Sequence, residues 1–331
     1  MAFRAFRRFL SQWLPERLLT RLLFLSVVSC QLSAVSGQQT SRVNTEATKK
    51  IALTFEQLPY MKPLGFWSPR EISNMILRAL DEKGIKAAGF VVEEKIDDDP
   101  SSLIVLDDWA GRGHIIGNQT WAYVDLNQLS ADDFLAHVAD GQKYLWRISK
   151  RHPVNFRYLR FPLLHEGGDQ GKKKDVANAL YRNGYEIAPV TVKTSSYLFN
   201  RPYLEQETDT EAIDSLRKVY LEHLGESLDY AETQSEKVFG RQISHILQLH
   251  SGIATAAFLE DLIAMLQARG YQFISLPEAL DDSAYETEET YVGPLGLSFI
   301  DRVAATREME FDSEQGEWTE VELQNRLKPR N

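Results

Sequence analysis

Three ionisable side chains stand where short apolar runs of this chain end: Glu56 after Ile51–Phe55, Arg160 within Phe156–Phe161, and His250 closing His245–His250. A carboxylate beside an imidazole can exchange protons with a reacting group, and such general acid–base work supplies a rate factor of about 10² to 10⁴. The same residue types also hold elements together, and Glu56 paired with Arg160 would tie two strands. His165, Glu166 and Asp169 share a glycine-rich loop, where a relocated metal site competes with a plain mobile loop. The run Asp97-Asp98-Asp99 lacks the ligand spacing of a calcium loop and reads as a solvated turn.

These groups need a frame that brings distant strand ends together. Seven evenly apolar runs fit buried strands: Ile51–Phe55, Ile85–Val92, His114–Asn118, Phe156–Phe161, Tyr185–Val192, His245–His250 and Tyr271–Leu276. Amphipathic helices alternate with them. Ser68-Pro69-Arg70-Glu71 is a capping box with proline at the first helical position. Ile72, Met75, Ile76, Ala79 and Leu80 form the apolar face behind it, and Gly84 closes the helix. Ser130 caps a helix whose stripe is Phe134, Val138, Leu145 and Ile148. Gly184 and Gly270 each end a helix just before a strand. A long charged helix is expected over Thr208–Lys237 and another over Ala256–Ala268. Regular alternation implies right-handed crossovers and a parallel sheet, here a distorted (β/α)7-type barrel of the α/β class. An open doubly wound sheet is the competing architecture, but no G-x-G-x-x-G follows the first run. In barrels the chemistry sits where strands end and loops begin.

Read at those strand ends, the chain resembles the NodB-type polysaccharide deacetylases, carbohydrate esterase family 4. The resemblance rests on Thr54-Phe55-Glu56-Gln57-Leu58-Pro59, Gly117-Asn118-Gln119-Thr120-Trp121-Ala122-Tyr123, Arg160-Phe161-Pro162 and Leu249-His250, in that order and spacing, over Lys49 to Leu280. It implies a NodB-homology barrel and metal-assisted removal of N-acetyl groups from sugar polymers, a hydrolysis of carbon–nitrogen bonds. A divalent metal such as zinc would polarise the amide and activate water. By resemblance, Glu56 takes the position of the general base, Arg160 of the arginine that orients it, and His250 of the histidine that protonates the leaving amine. The metal-ligand positions, an aspartate and two histidines in the family, fall on Gln57, Gln119 and Tyr123. Those groups are neutral at pH 7, and neither an amide oxygen nor a phenol is a good zinc ligand. No metal and no other cofactor is therefore expected. Lys193, Ser195, Ser196 and Tyr197 replace the acidic residues and tryptophan that the family carries after its fifth strand, so His250 is expected to lose part of what favours its protonated form. His114 falls on a structural position.

Trp67, Trp121, Tyr123, Phe161 and Tyr197 lie near strand ends and can stack on sugar rings or pack the barrel rim. Trp121, Tyr123, Phe161 and Tyr197 are the candidate substrate-binding residues.

The amino end reads as an export signal over residues 1–36, in which basic residues precede Leu22–Val28 and Ala34-Val35-Ser36 offers a cleavage site. The apolar stretch is short for a membrane span. Cys30 is the one cysteine, which excludes an internal disulfide. Its context also suits a lipoprotein signal that would anchor the chain to a membrane, and the two readings stay open. Residues 37–48 read as a linker, 49–281 as the deacetylase-like barrel and 282–331 as an acidic extension wrapping it. The chain carries −10 overall; residues 1–29 contribute +4, so their removal would leave −14. Such an acidic body repels nucleic acid.

The expected function is that of an exported or periplasmic envelope protein in carbohydrate metabolism. It would be a degenerate deacetylase binding a polysaccharide or peptidoglycan-like glycan. The alternatives are an active amide hydrolase without the usual metal triad, and a protein-binding scaffold. The oligomeric state is not readable from the sequence.

Overall fold

The computed structural model describes residues 49–312 and 318–328. The export segment, Cys30 and the linker lie outside them. Seven strands form one sheet: β1 (Lys49–Leu58), β2 (Ala88–Val91), β3 (Ile115–Asn118), β4 (Tyr158–Leu159), β5 (Glu186–Ile187), β6 (His245–His250) and β7 (Tyr271–Phe273). Their order is β5-β4-β3-β2-β1-β6, and β7 pairs with the first three residues of β1. Every pairing is parallel. Val192 bridges Leu247 of β6, so the stretch leaving β5 touches both ends of the strand order. The sheet thereby curls into the distorted barrel expected from the alternation, not an open doubly wound sheet.

β4 and β5 are shorter than the apolar runs suggest. Pro162 and Pro189 follow closely, and proline cannot donate to a ladder. Single hydrogen bonds continue the pairing beyond the named strands, from Arg160 N to Asn118 O and from Ala188 N to Leu159 O.

Helices pack around the sheet. The helix Pro69–Glu82 starts at Ser68 with both halves of the capping box formed, and Ile72, Ile76, Ala79 and Leu80 are buried. Gly84 follows in the left-handed region at φ 64°. The long charged helix runs Thr210–Phe239 and ends at Gly240 with φ 67°, slightly past its expected stop. One expectation needs correction. The helix capped by Ser130 is two helices, Ala131–Asp140 and Lys143–Ser149, broken at Gly141. A Cβ at Gly141 would lie 2.9 Å from the backbone of Thr120 and Trp121, so the glycine lets the loop after β3 press against the break. The acidic carboxyl-terminal stretch contains regular helices, Phe299–Thr306 and Glu320–Leu327. The first buries Phe299, Ile300, Val303 and Ala304 in a cluster with Val238, Ile243 and Ala284. It was hard to read because eight residues hold only two turns of period.

Candidate functional site: a buried polar cluster at the strand ends

Successive side chains of a strand point to opposite faces. Phe55 therefore packs outward, edge-on against Trp109 with centroids 5.4 Å apart, while Thr54 and Glu56 point into the barrel. Glu56 is fully buried. Its Oε1 accepts from Arg160 Nη1 at 2.9 Å and from Gln248 Nε2 at 2.8 Å. Arg160 is equally buried. Its Nε donates to Ala188 O at 2.7 Å, its Nη2 to Thr54 Oγ1 at 3.2 Å, and its guanidinium lies 4.6 Å from the Phe90 ring centre. Burial pushes the Arg160 pKa down and the Glu56 carboxylate opposes it. A buried charge pair persists only when its remaining donors and acceptors are also satisfied, and here they are.

His250 completes the trio. Its Nε2 is 3.9 Å from Glu56 Oε2 and its Nδ1 is 3.0 Å from Ser196 Oγ. The same hydroxyl accepts the backbone N–H of His250 at 3.1 Å. The Tyr197 ring stands edge-on at 5.1 Å. Burial lowers the His250 pKa while Glu56 raises it, and Ser196 adds no charge. An imidazole so placed favours its neutral form.

Gln57, Gln119 and Tyr123 converge beside this trio. Gln57 and Tyr123 both adopt left-handed backbones, φ 62° and 53°. Such strain in non-glycine residues persists only where the surroundings enforce it. The Gln57 N–H donates to Gln119 Oε1 at 2.8 Å. Gln57 Oε1 accepts from Lys95 Nζ at 2.8 Å, and the Gln57 side chain also hydrogen-bonds Tyr123. The Tyr123 hydroxyl reaches Glu56 Oε2 at 3.4 Å. Burial first, then the Glu56 charge, raises its phenol pKa well above the ordinary value. Gln119 is fully buried, and its Nε2 has no partner among the described residues.

Two candidate sugar-binding residues do not join the cluster. Phe161 is 4% exposed and stacks on Phe134 with centroids 5.6 Å apart, so it belongs to the core outside the barrel. Trp121 turns to the outer surface, because Thr120 takes φ 66° and the Trp121 N–H is drawn to His137 O. Its indole lies over His137, donates to Asp97 Oδ2 at 3.0 Å, and lines a shallow groove with Trp146 and Arg157. Trp67 packs against the core and points its indole N–H at Glu207. Of the named aromatics, Tyr123 and Tyr197 are the ones at the cleft.

The other charged clusters also resolve. His165 Nδ1 is 2.8 Å from Asp125, Glu166 pairs with Lys173 and Arg302, and Asp169 caps the helix Gln170–Arg182. No group of three or more His, Cys, Asp or Glu among the described residues gathers in a way that could hold a metal ion. Asp97 is more than a solvated turn residue. It accepts from Lys143, Tyr144 and Trp121, which together hold its carboxyl down at about 2.

The polysaccharide deacetylase family profile matches residues 43–186. Over that stretch the chain matches the polysaccharide deacetylase family. The chitin deacetylase of the fungal pathogen Colletotrichum lindemuthianum has a similar structure at 21% identity, covering 74% of this chain and 93% of that one, with a TM-score of 0.50. A carbohydrate esterase family 4 pseudoenzyme from Bacillus anthracis aligns at 17% identity over 71% of this chain and 66% of that one, TM-score 0.47. A peptidoglycan deacetylase from Bacillus subtilis aligns at 18% over 79% and 94%, TM-score 0.45. At such identities the likeness shows the fold alone. No curated protein sequence matches the chain.

The divalent metal that the family uses does not fit these donors. Gln57 Oε1 faces an ammonium, Gln119 Oε1 is occupied by a backbone N–H, and burial keeps the Tyr123 phenol protonated. Zinc takes carboxylate, imidazole or thiolate donors, and none of these three side chains supplies one. Four partners at this site were not singled out as such from the sequence. Gln248 and Thr54 were the readable ones, since they precede His250 and Glu56 by two positions and must share their faces. Ser196 and above all Lys95 give no such signal. Lys95 comes from a different loop, in the short helix Glu94–Asp98 after β2.

Proposed function

We propose that this chain is a catalytically degenerate polysaccharide deacetylase that binds an N-acetylated glycan of the cell envelope at the barrel mouth. The observation that carries the reading is that the oxygens at the three ligand positions are already engaged: Gln57 Oε1 by Lys95, Gln119 Oε1 by the Gln57 N–H, and the Tyr123 hydroxyl by Glu56. An amide is a poor electrophile, and losing a metal forfeits several kcal/mol of transition-state stabilisation, each ~1.4 kcal/mol being tenfold in rate. The Glu56–His250 pair offers only about 10² to 10⁴. A cleft whose three ligand positions carry uncharged side chains, with the 40% exposed Tyr197 beside it, suits an uncharged sugar better than a bare ion. The deacetylases with similar structures are named for chitin and peptidoglycan, which supports an N-acetylated polymer as ligand. The export segment supports an envelope location, with anchoring through Cys30 part of the same proposal. Calorimetry with chitooligosaccharides and peptidoglycan fragments, alongside an acetate-release assay, tests it: binding without acetate is expected, and no binding to any glycan removes it.

One observation favours a second reading, an active amide hydrolase lacking the usual metal triad. His250 Nε2 and Glu56 Oε2 remain 3.9 Å apart, close enough to share one proton through a reacting group. Acetate release that disappears in His250→Ala would support that reading. Release unchanged in the variant would remove it.

A further inference from the structure

The Lys95 ammonium is held by three oxygens of one short segment: Gln57 Oε1 at 2.8 Å, Gln57 O at 3.3 Å and Tyr60 O at 2.8 Å. The Tyr60 ring lies 5.7 Å from it. All three oxygens are acceptors only, and a lysine presents three donors only while it is charged. Burial lowers the Lys95 pKa to about 7, but three acceptor oxygens around Nζ favour the protonated form, so the geometry suits an ammonium. Its hydrogen bonds are all spent on this segment, so it is not poised to polarise a ligand. It sits instead on the side chain that occupies a metal-ligand position in the family.

We infer that Lys95 is the residue that excludes a divalent cation from this cleft, as a resident positive charge that would persist even if the ligand side chains were restored. The inference rests on the reading of the cleft as metal-free. Two of the three holding contacts are to main-chain carbonyls, Gln57 O and Tyr60 O, and are independent of the side chain at position 57. A carboxylate placed there would thus meet Lys95 before it met a metal. A cation bound to the same oxygen at about 2.1 Å would lie within about 5 Å of Nζ. Even at the dielectric of water, a double and a single positive charge at that separation lower the affinity by about tenfold, and by more in a buried site. Replacing Gln57, Gln119 and Tyr123 alone would then give a metal centre at least about tenfold weaker than the same ligands without Lys95. The charge comes from the loop after β2, so no reading of the ligand motifs reveals it.

The test compares zinc binding by three forms of the full chain: the native protein, the triple variant Gln57→Asp/Gln119→His/Tyr123→His, and the same triple carrying Lys95→Met. Zinc affinity is read by competition with a chromophoric chelator, and zinc content by elemental analysis. The form with Lys95→Met is expected to bind one zinc at least about tenfold more tightly than the triple variant. Circular dichroism checks folding, and Lys95→Gln, which removes the charge but keeps a hydrogen-bonding head, replaces Lys95→Met if that variant does not fold. Equal zinc affinity with and without Lys95 overturns the inference, as does the absence of zinc from both variants. Either result, with the native protein zinc-free, leaves the degenerate reading standing. Stoichiometric zinc in the native protein overturns both.

Discussion

Arg160 Nη1 donates to Glu56 Oε1 across 2.9 Å, and neither side chain exposes more than 1% of its surface. The pair joins β1 to the end of β4, on opposite sides of β2 and β3 in the strand order. Truncating one partner strands the other as an uncompensated buried charge, which costs about 3–5 kcal/mol. Glu56→Leu and Arg160→Met should each lower the unfolding free energy by that much in urea denaturation. Glu56→Leu combined with Arg160→Met should cost clearly less than the sum of the single changes. Additive losses in that double-mutant cycle would show that the pair does not act as a unit.

Ser196 contacts Nδ1 of His250 without adding a charge. Ser196→Asp would place a carboxylate there, and an adjacent anion raises an imidazole pKa. Nitrogen-15 NMR of the His250 ring should show neutral imidazole near pH 6 in the native protein and a titration shifted upward by about one unit or more in the variant. Acetate release should stay absent from both, because the proton donor is not what the site lacks. An unshifted titration would mean that His250 does not sense position 196.

Three buried histidines should make the protein acid-labile. His223 Nε2 accepts the Ser195 N–H at 2.8 Å and His114 Nδ1 accepts the Ala87 N–H at 3.2 Å, so both rings are bare at those nitrogens. Burial pulls His223 down to about 3, and His114 and His245 to about 4. The unfolded chain therefore binds more protons than the folded one between those values and 6.5, and stability rises with pH through that window. It is fully present above 6.5 and lost as the pH falls. Glu93, raised to about 7 by burial, works in the opposite sense and makes the slope shallower. His223→Gln, whose amide oxygen can still accept the Ser195 N–H, should remove on the order of 5 kcal/mol of this pH dependence over the whole window. An unchanged profile of melting temperature against pH would contradict the assignment.

The aromatic residues separate binding from packing. Tyr197→Ala should weaken glycan binding by about tenfold, as expected for removing one stacking ring at about 1–2 kcal/mol. Trp121→Ala should leave that affinity unchanged, since the indole faces the outer groove. Phe161→Ala should destabilise the fold by about 3–5 kcal/mol while the folded fraction binds as before. A larger effect of Trp121 than of Tyr197 on calorimetric affinity would move the glycan out of the barrel mouth.

Much of this arrangement was legible in the residues themselves. β6 matches its apolar run residue for residue, because six buried positions between polar flanks leave a strand little freedom. The helix at Pro69 is written in its capping box. Glu56, Arg160 and His250 were readable because strand-end positions follow from strand order, and the structure brings the three together. Trp121 and Phe161 lie away from the cluster because an aromatic at a strand end can turn either way. For Trp121 the choice is made by Thr120's left-handed backbone and by the close approach of Gly141, which is remote in sequence. Lys95 was invisible for a similar reason, since its partners Gln57 and Tyr60 are more than thirty positions away.

The most direct measurement is a calorimetric titration of an N-acetylglucosamine oligomer into chelator-stripped protein, repeated after zinc is added. A saturable isotherm of the same affinity in both titrations is the predicted result, for a cleft that recognises sugar through uncharged side chains. An isotherm that appears only once zinc is present would contradict it, and would return the metal to the centre of this protein's chemistry.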